Sequence, residues 1–314
     1  MSLRCRLALP GWLVAALVLV ACGSGPTSGA GGVERPGSGP GGRIAVAVSF
    51  YPLQFVAQRV GGSHVTVLSL TKPGVEPHDL ELTPRNVAAL SRSDVAFYVK
   101  GFQPAVDRAI AANGPPVVLD AAPAAHLDLS YTPLEEVRAA PSPDPHFWLD
   151  PTRLASVAVA LAQRLEQVDP AHAPFYRINL DSLTRDLTAL DGLMRAGLAD
   201  CAGSQLVTSH NAFGYLARRY GMRQVGITGL SPDTEPDPGE LARTAAFVRE
   251  HRVATIYYET LVSPAVARTV AAETGARVDV LDPLEGVDDS SAGADYLEVM
   301  RSNLSTLRRG QPCT

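Results

Sequence analysis

Three histidines stand in polar, turn-rich stretches: His78 in GVEPHDLELTP (74–84), His146 in DPHFWLDP (144–151) and His210 in TSHNAFGYLARRYG (208–221). Asp282, in VLDPLEG (280–286), follows directly on an apolar run. Three imidazoles and one carboxylate complete a tetrahedral shell for Zn²⁺, which takes nitrogen and oxygen ligands at roughly 2.0–2.2 Å. The four positions are 68, 64 and 72 residues apart. No two can share an element, unlike the paired histidines of an HExxH helix, which keep their spacing through local motion. A shell of this kind exists only when the chain is folded, and a small displacement spoils it. That suits capture and release of an ion better than catalysis on one.

Something must bring these positions together. Short β-branched runs at 44–49, 65–70, 95–99 and 117–119 alternate with helical periods at 51–60, 84–91 and 104–112. A second alternation has strands at 206–209, 224–227, 255–258 and 278–281 and helices at 213–220, 239–251 and 264–274. Strand–helix alternation is the pattern of a parallel sheet with crossover helices. The expected fold is therefore α/β, two lobes with mainly parallel sheets. Between them Leu154, Val157, Leu161, Leu165 and Val168 recur at helical spacing, and Leu180, Leu183, Leu187, Leu190 and Met194 repeat the pattern. Asp169-Pro170 divides the two runs, as a cap followed by a first helical residue would. A helix of about 25 residues would be about 37 Å long at roughly 1.5 Å per residue, a connector stiff enough to limit hinge bending. The predicted lobes are 43–150 and 200–314, with a helical connector at 151–199. His210 and Asp282 then fall where open α/β sheets place ligands, beyond the carboxyl ends of strands, and the metal site falls in the interlobe cleft.

The N-terminus reads separately. Arg4 and Arg6 precede an apolar stretch at 7–20, and Leu19-Val20-Ala21-Cys22 ends it. This ending resembles a bacterial lipobox, which implies a signal peptide at 1–21 and a lipidated Cys22. An ordinary secretory signal or a membrane anchor is the alternative, although a span needs about 20 apolar residues. Residues 22–42, rich in Gly, Ser and Pro, read as a flexible tether. With Cys5 removed and Cys22 lipidated, Cys201 and Cys313 are left, and in an oxidising compartment they are expected to form one disulfide. Free thiols or metal ligands are the other readings, but neither cysteine lies in a CxxC pair or beside a histidine. A formal net charge of −5 lacks the basic surface that a phosphate backbone requires, so no nucleic-acid partner is expected.

The motifs SFYPLQFVAQRVGG (49–62), GVEPHDLELTP, DPHFWLDP, SHNAFGYLARRYG and TIYYETLVSPAVARTVAAETGARVDVLDPLEG (255–286) together resemble the metal-binding solute-binding proteins of bacterial zinc and manganese ABC uptake transporters. The resemblance runs from about residue 43 to the C-terminus. It implies two α/β lobes joined by a long helix, one Zn²⁺ per chain between them, and His78, His146, His210 and Asp282 as ligands. It also implies a lipid-anchored monomer on the extracytoplasmic face of the cell membrane, handing its ion to a permease driven by a separate ATPase, and no enzymatic activity. Manganese members usually have glutamate at the position of His210, so the nitrogen-rich set here favours zinc; a manganese or iron member is the alternative. Two departures stand out. Residues 121–145 hold only His126, with Asp128, Glu135, Glu136 and Asp144, in place of the histidine-rich loop of many zinc members, and Asn211 stands where aspartate is frequent.

Other residues have plainer readings. Asp79 and Glu81 either orient His78 or favour the helix that Thr83-Pro84 starts. Phe147 and Trp148 are expected to pack against the site or the lobe interface. Glu259 reads either as a partner to a ligand or as a partner to arginine. His64, His126, His172 and His251 are expected to face solvent, and Glu235, Asp237 and Glu240, around Pro236 and Pro238, to start a helix. From other functional classes, a zinc hydrolase needs an open coordination position for water, which a fourth ligand closes; a surface adhesin has no motif in its favour.

Overall fold

The computed structural model describes residues 42–131, 142–232 and 235–313. The signal peptide, Cys22, nearly all of the tether, and Glu135 and Glu136 lie outside the described residues.

The first sheet holds β1 (Ile44–Val48), β2 (Val65–Ser69), β3 (Val95–Tyr98) and β4 (Val117–Asp120), all parallel, in the order β2-β1-β3-β4. The crossovers carry α1 (Tyr51–Gly61), α2 (Pro84–Ser91) and α3 (Pro104–Asn113), and a short α4 (Ala122–Ala125) follows β4. Each of these helices has a proline in its first turn, where the missing N–H costs no intrahelical bond. Thr83 caps α2 by accepting from the Asn86 amide, as its place before Pro84 implied. A two-stranded antiparallel pair, β5 (Ser130–Tyr131) with β6 (Ser142–Pro143), leads to His146.

Two long helices form the spine. α5 (Pro151–Val168) starts under an Asp150 cap, and α6 (Ala173–Gly197) is 25 residues long. The leucines read at helical spacing are its buried stripe: Leu154, Leu161, Leu165, Leu183, Leu187, Leu190 and Met194 are all essentially inaccessible to solvent. Asp169 does not cap the second helix as expected. Its carboxylate instead accepts from the Tyr176 hydroxyl and bonds to His172 Nδ1, both at 2.7 Å, and the chain turns through Pro170–His172 before α6 begins. This turn packs against the loop after α1, so His64 and His172 stack on one another at 3.9 Å and are only half-exposed. The expectation that both face solvent is corrected; it holds for His126 and His251.

The second sheet repeats the first. β7 (Gln205–Thr208), β8 (Arg223–Gly226), β9 (Thr255–Tyr258) and β10 (Arg277–Val280) run parallel in the order β10-β9-β7-β8, which is the strand order of the first sheet read from its other edge. α7 (Gly214–Arg219), α8 (Pro238–Glu250) and α9 (Ala265–Thr274) make the crossovers. Asp237 and Glu240 close a reciprocal capping box at the start of α8, the expected role for these acids. A last helix, α10 (Tyr296–Gly310), has the strongest two-faced pattern of buried and exposed positions and packs on α6. Its period was not picked out in the sequence.

One apolar core passes through both lobes and the spine, from Val46 and Phe50 through Trp148, Leu161 and Leu187 to Leu281 and Tyr296. A continuous core of this kind resists bending, because interiors are close-packed and opening a hinge within them exposes apolar surface. Cys201 and Cys313 are joined, which closes α10 onto the segment before β7 across 112 residues. Among the described residues no helix is long and apolar enough to cross a membrane.

Candidate metal centre

The three expected histidines meet. His78 lies in the irregular stretch between β2 and α2, His146 just before the 3₁₀ turn Phe147–Leu149 that leads into α5, and His210 two residues after β7. Nε2 of His146 is 3.4 Å from Nε2 of His78 and 3.4 Å from Nε2 of His210. The fourth group is Glu285. Its Oε1 lies 3.1, 3.2 and 3.6 Å from Nε2 of His78, His146 and His210. All four atoms fall within 4.8 Å of one another.

Asp282 does not join them, which corrects the expected fourth position. The residue sits on the sheet side of the turn that follows β10: Oδ1 accepts from the Leu284 amide at 2.7 Å, and its backbone is paired to Asn303 of α10. The Asp-Pro turn carries the chain on, and the side chain that reaches the imidazoles belongs to the residue three places later. Glu285 was in view in the VLDPLEG motif, but choosing between its two acids requires the turn's geometry.

Four donors on the vertices of a tetrahedron around an ion at about 2.0–2.1 Å are roughly 3.3–3.4 Å apart. Five of the six separations, at 3.1–3.6 Å, are close to that figure. The donor set is one that Zn²⁺ takes, three nitrogens and one oxygen, and it is dry: His146, His210 and Glu285 are buried, and the His78 side chain is 9% exposed.

Two of the imidazoles are oriented by carboxylates on their far side. His146 Nδ1 is 2.8 Å from Asp144 Oδ1, which also accepts the His146 amide. His210 Nδ1 is 2.5 Å from Glu259 Oε1, which also takes the Ser209 hydroxyl. Such contacts place the proton on Nδ1 and turn Nε2, with its lone pair, toward the centre. Glu259 is thus a partner to His210, not to arginine, and it supplies the support that Asn211 does not. Asn211 Oδ1 accepts instead from the Gly226 amide and its Nδ2 donates to Thr228 O, tying the loop after β7. Asp79 and Glu81 are exposed; the carboxylate near His78 is Glu76, which accepts the His78 amide at 2.9 Å. Trp148, fully buried, lies 5.1 Å from the His146 ring and donates to Pro283 O at 2.7 Å. Its own carbonyl accepts from the Tyr296 hydroxyl, and the Tyr215 hydroxyl donates to Asp144 O. The segment bearing His146 is therefore bonded to the second lobe, so the donors do not divide cleanly into two per lobe.

The charges follow from this packing. Burial disfavours a charged His210, yet Glu259 and Glu285 on its two sides outweigh it and push the imidazole up to about 10. His146 is raised in the same way, Asp144 and Glu285 overcoming burial. His78, desolvated and near two imidazoles, is lowered, Glu285 offsetting only part. Burial alone would raise Glu285, but the three imidazoles hold it well below the usual carboxylate range. A cavity of about 220 Å³, lined by Tyr51, Gln54, Thr71, Lys72 and Asp295, borders Glu285 from outside.

Two parallel α/β lobes on a rigid helical spine, with a buried imidazole–carboxylate group between them, define a two-lobed metal-binding protein of the solute-binding class. Residues 46–310 match the zinc-uptake complex component A (periplasmic) family, ZnuA, and the chain belongs to that family. The high-affinity zinc uptake system protein ZnuA of Bacillus subtilis is 31% identical over 306 residues, 93% of each chain. The zinc-binding lipoprotein AdcA of Streptococcus pneumoniae serotype 4 is 32% identical, and the match spans 56% of that longer protein. Among solved structures, the Zn(II)-bound ZnuA-like domain of Streptococcus pneumoniae AdcA aligns with a TM-score of 0.71 at 31% identity, covering 86% of this chain and 99% of the domain. The laminin-binding protein of Streptococcus agalactiae, described as an adhesin with metal-transporting activity, aligns with a TM-score of 0.74 at 30% identity over 85% of this chain and 99% of that one.

Proposed function

We propose that this protein captures Zn²⁺ outside the cytoplasm and hands it to the permease of an ABC importer, with His78, His146, His210 and Glu285 as the four ligands. The observation that carries the reading is that five of the six separations among three Nε2 atoms and one carboxylate oxygen are 3.1–3.6 Å, close to the edge lengths of a zinc tetrahedron, with all four atoms within 4.8 Å. Manganese prefers more oxygen donors and a larger shell, so the nitrogen-rich set selects against it. A hydrolase reading is disfavoured, since catalytic zinc keeps a position open for water and Glu285 fills it. The relatives are transporter components; that this chain has no catalytic activity of its own belongs to the proposal.

The proposal extends to the rest of the molecule. Residues 1–21 direct export, Cys22 carries the lipid, 22–42 tether the lobes to the membrane surface, and 43–150, 151–199 and 200–314 are the two lobes and their connector. The folded part acts as a monomer. The test is metal analysis of the purified, tag-free protein with competitive titration of Zn²⁺, Mn²⁺ and Fe²⁺, beside zinc-limited growth of a deletion strain. One zinc per chain, weak Mn²⁺ binding and lost growth are expected. Tight Mn²⁺ binding, or normal growth and cellular zinc with transport paralogues also deleted, would overturn it.

A further inference from the structure

The way Glu285 is presented singles out residues that touch no ion. Asn303, buried on α10, forms two reciprocal bonds with the backbone of Asp282: its Oδ1 accepts the Asp282 amide at 3.0 Å and its Nδ2 donates to the Asp282 carbonyl at 2.7 Å. Asp282 in turn caps the turn through Oδ1 and the Leu284 amide. Trp148 holds the intervening Pro283 carbonyl. Leu284 is left with φ of 60°, a left-handed conformation that a leucine adopts only when its surroundings impose it. Three residues in succession are thus pinned immediately ahead of Glu285. The other oxygen of Asp282, Oδ2, is buried and takes no part in the turn; the nearby side-chain hydroxyl is that of Thr260.

We propose that Asp282 and Asn303 are positioning residues for zinc binding: their paired clamp forces the strained turn that sets Glu285 Oε1 at the fourth vertex, and Asp282 contributes an acceptor to the turn, not a bond to the ion. The inference rests on the ligand set proposed above. It has a sharp consequence, because only Oδ1 bonds to the turn. Asparagine keeps an oxygen at that place and puts its amide where Oδ2 now sits, beside the Thr260 hydroxyl, which can accept from it, so Asp282→Asn retains the clamp. Asp282→Ala keeps the Asn303 bonds, which go to its backbone, but removes the acceptor that holds the Leu284 amide. A ligand role predicts the opposite pattern, with both substitutions equally harmful.

The experiment measures zinc affinity by competition and the visible spectrum of the Co²⁺-substituted protein for Asp282→Ala, Asp282→Asn and Asn303→Ala, with Glu285→Ala and His78→Ala as references. Orienting contacts around a metal site are typically worth 10–100-fold in affinity. Asp282→Ala and Asn303→Ala are expected to lose about that much and to weaken the tetrahedral Co²⁺ bands, while Asp282→Asn stays within about threefold of the parent with its bands intact. Equal losses in Asp282→Asn and Asp282→Ala would overturn the positioning role in favour of a direct one. No loss in Asp282→Ala and Asn303→Ala, in folded protein, would overturn the clamp. If Glu285→Ala and His78→Ala themselves leave affinity untouched, the ligand set fails, and the clamp fails with it for that separate reason. Thermal melting of each apo variant separates lost folding from lost orientation, and Asp282→Asn keeps the comparison open should Asn303→Ala not fold.

Discussion

The two lobes share a strand order but hold their imidazoles differently. In the second lobe His210 follows its strand by two residues, is completely buried, and has Glu259 against Nδ1. In the first lobe His78 comes nine residues beyond β2, in an irregular stretch containing Gly74 at φ of 72° and half-exposed around the ligand. Among the described residues no carboxylate bonds to its Nδ1. The contrast teaches that one strand order can present an imidazole in two mechanical states. One is fixed by a short tether and a buried acceptor; the other is placed by a loop and steadied mainly by the metal-facing contact and by Phe102, packed edge-on at 4.6 Å.

Removing either imidazole tests that difference most strongly. Four-ligand zinc sites are worth about 10–16 kcal/mol in small domains, so one ligand carries roughly 3 kcal/mol, more than a hundredfold in affinity. His210→Ala and His78→Ala should both lose that much. Only His210→Ala should also lower the melting temperature of the apo protein, because it leaves the buried Glu259 carboxylate with only the Ser209 hydroxyl. Equal melting losses in the two variants, followed by calorimetry, would break the comparison.

A second asymmetry is covalent. The second lobe is stapled by Cys201–Cys313, and among the described residues the first has no such link. Replacing both cysteines by serine should cost about 2–5 kcal/mol, with hydrogen exchange rising in α10 and β7 and little changed in β1 and β3. Uniform exchange throughout would show instead that the shared core makes the lobes one cooperative unit.

Glu259→Gln sharpens the comparison further. It should weaken zinc by roughly 10–100-fold, whereas Glu76→Gln, beside the first-lobe ligand, should change affinity severalfold at most, since Glu76 bonds a backbone amide and approaches the ring only at 3.8 Å. Isothermal titration of both variants decides this.

The effect of pH is a further test. A raised imidazole stabilises the apo fold below its ordinary value of about 6.5, and that stability is lost as pH climbs toward the folded value, about 10 for His210. Apo stability should therefore fall between about pH 6.5 and 10 while apparent zinc affinity rises through the same range, as protons cease to compete. Titration calorimetry in buffers of different ionisation heat should find proton release at pH 7.5. Zinc binding without proton release would show that His146 and His210 are neutral in the free protein.

Most of the secondary structure was readable because its signals are local. β-Branched runs, prolines at first turns and leucines at 3.6-residue spacing mark elements that the structure places within a residue or so, and the three histidines stood out as polar residues in turns. What needs long-range packing was not readable in the same way. The α10 period was passed over, the His64–His172 stack forms between chain segments far apart, and the orienting partners Asp144 and Glu259 declare themselves only once rings and carboxylates are in contact.

The fourth position marks the boundary most clearly. By itself the sequence determined two α/β units, a helical spine and a family membership, and it pointed to Asp282 in VLDPLEG, where the structure brings Glu285 to the three imidazoles. Which acid was a tertiary decision. Asn303, 21 residues farther along on another element, grips Asp282 by its backbone, Trp148 grips Pro283 from 135 residues earlier, and the turn they impose points Glu285 inward. A side chain's direction after a turn depends on φ and ψ values that distant hydrogen bonds set, and no local pattern of residue types encodes them.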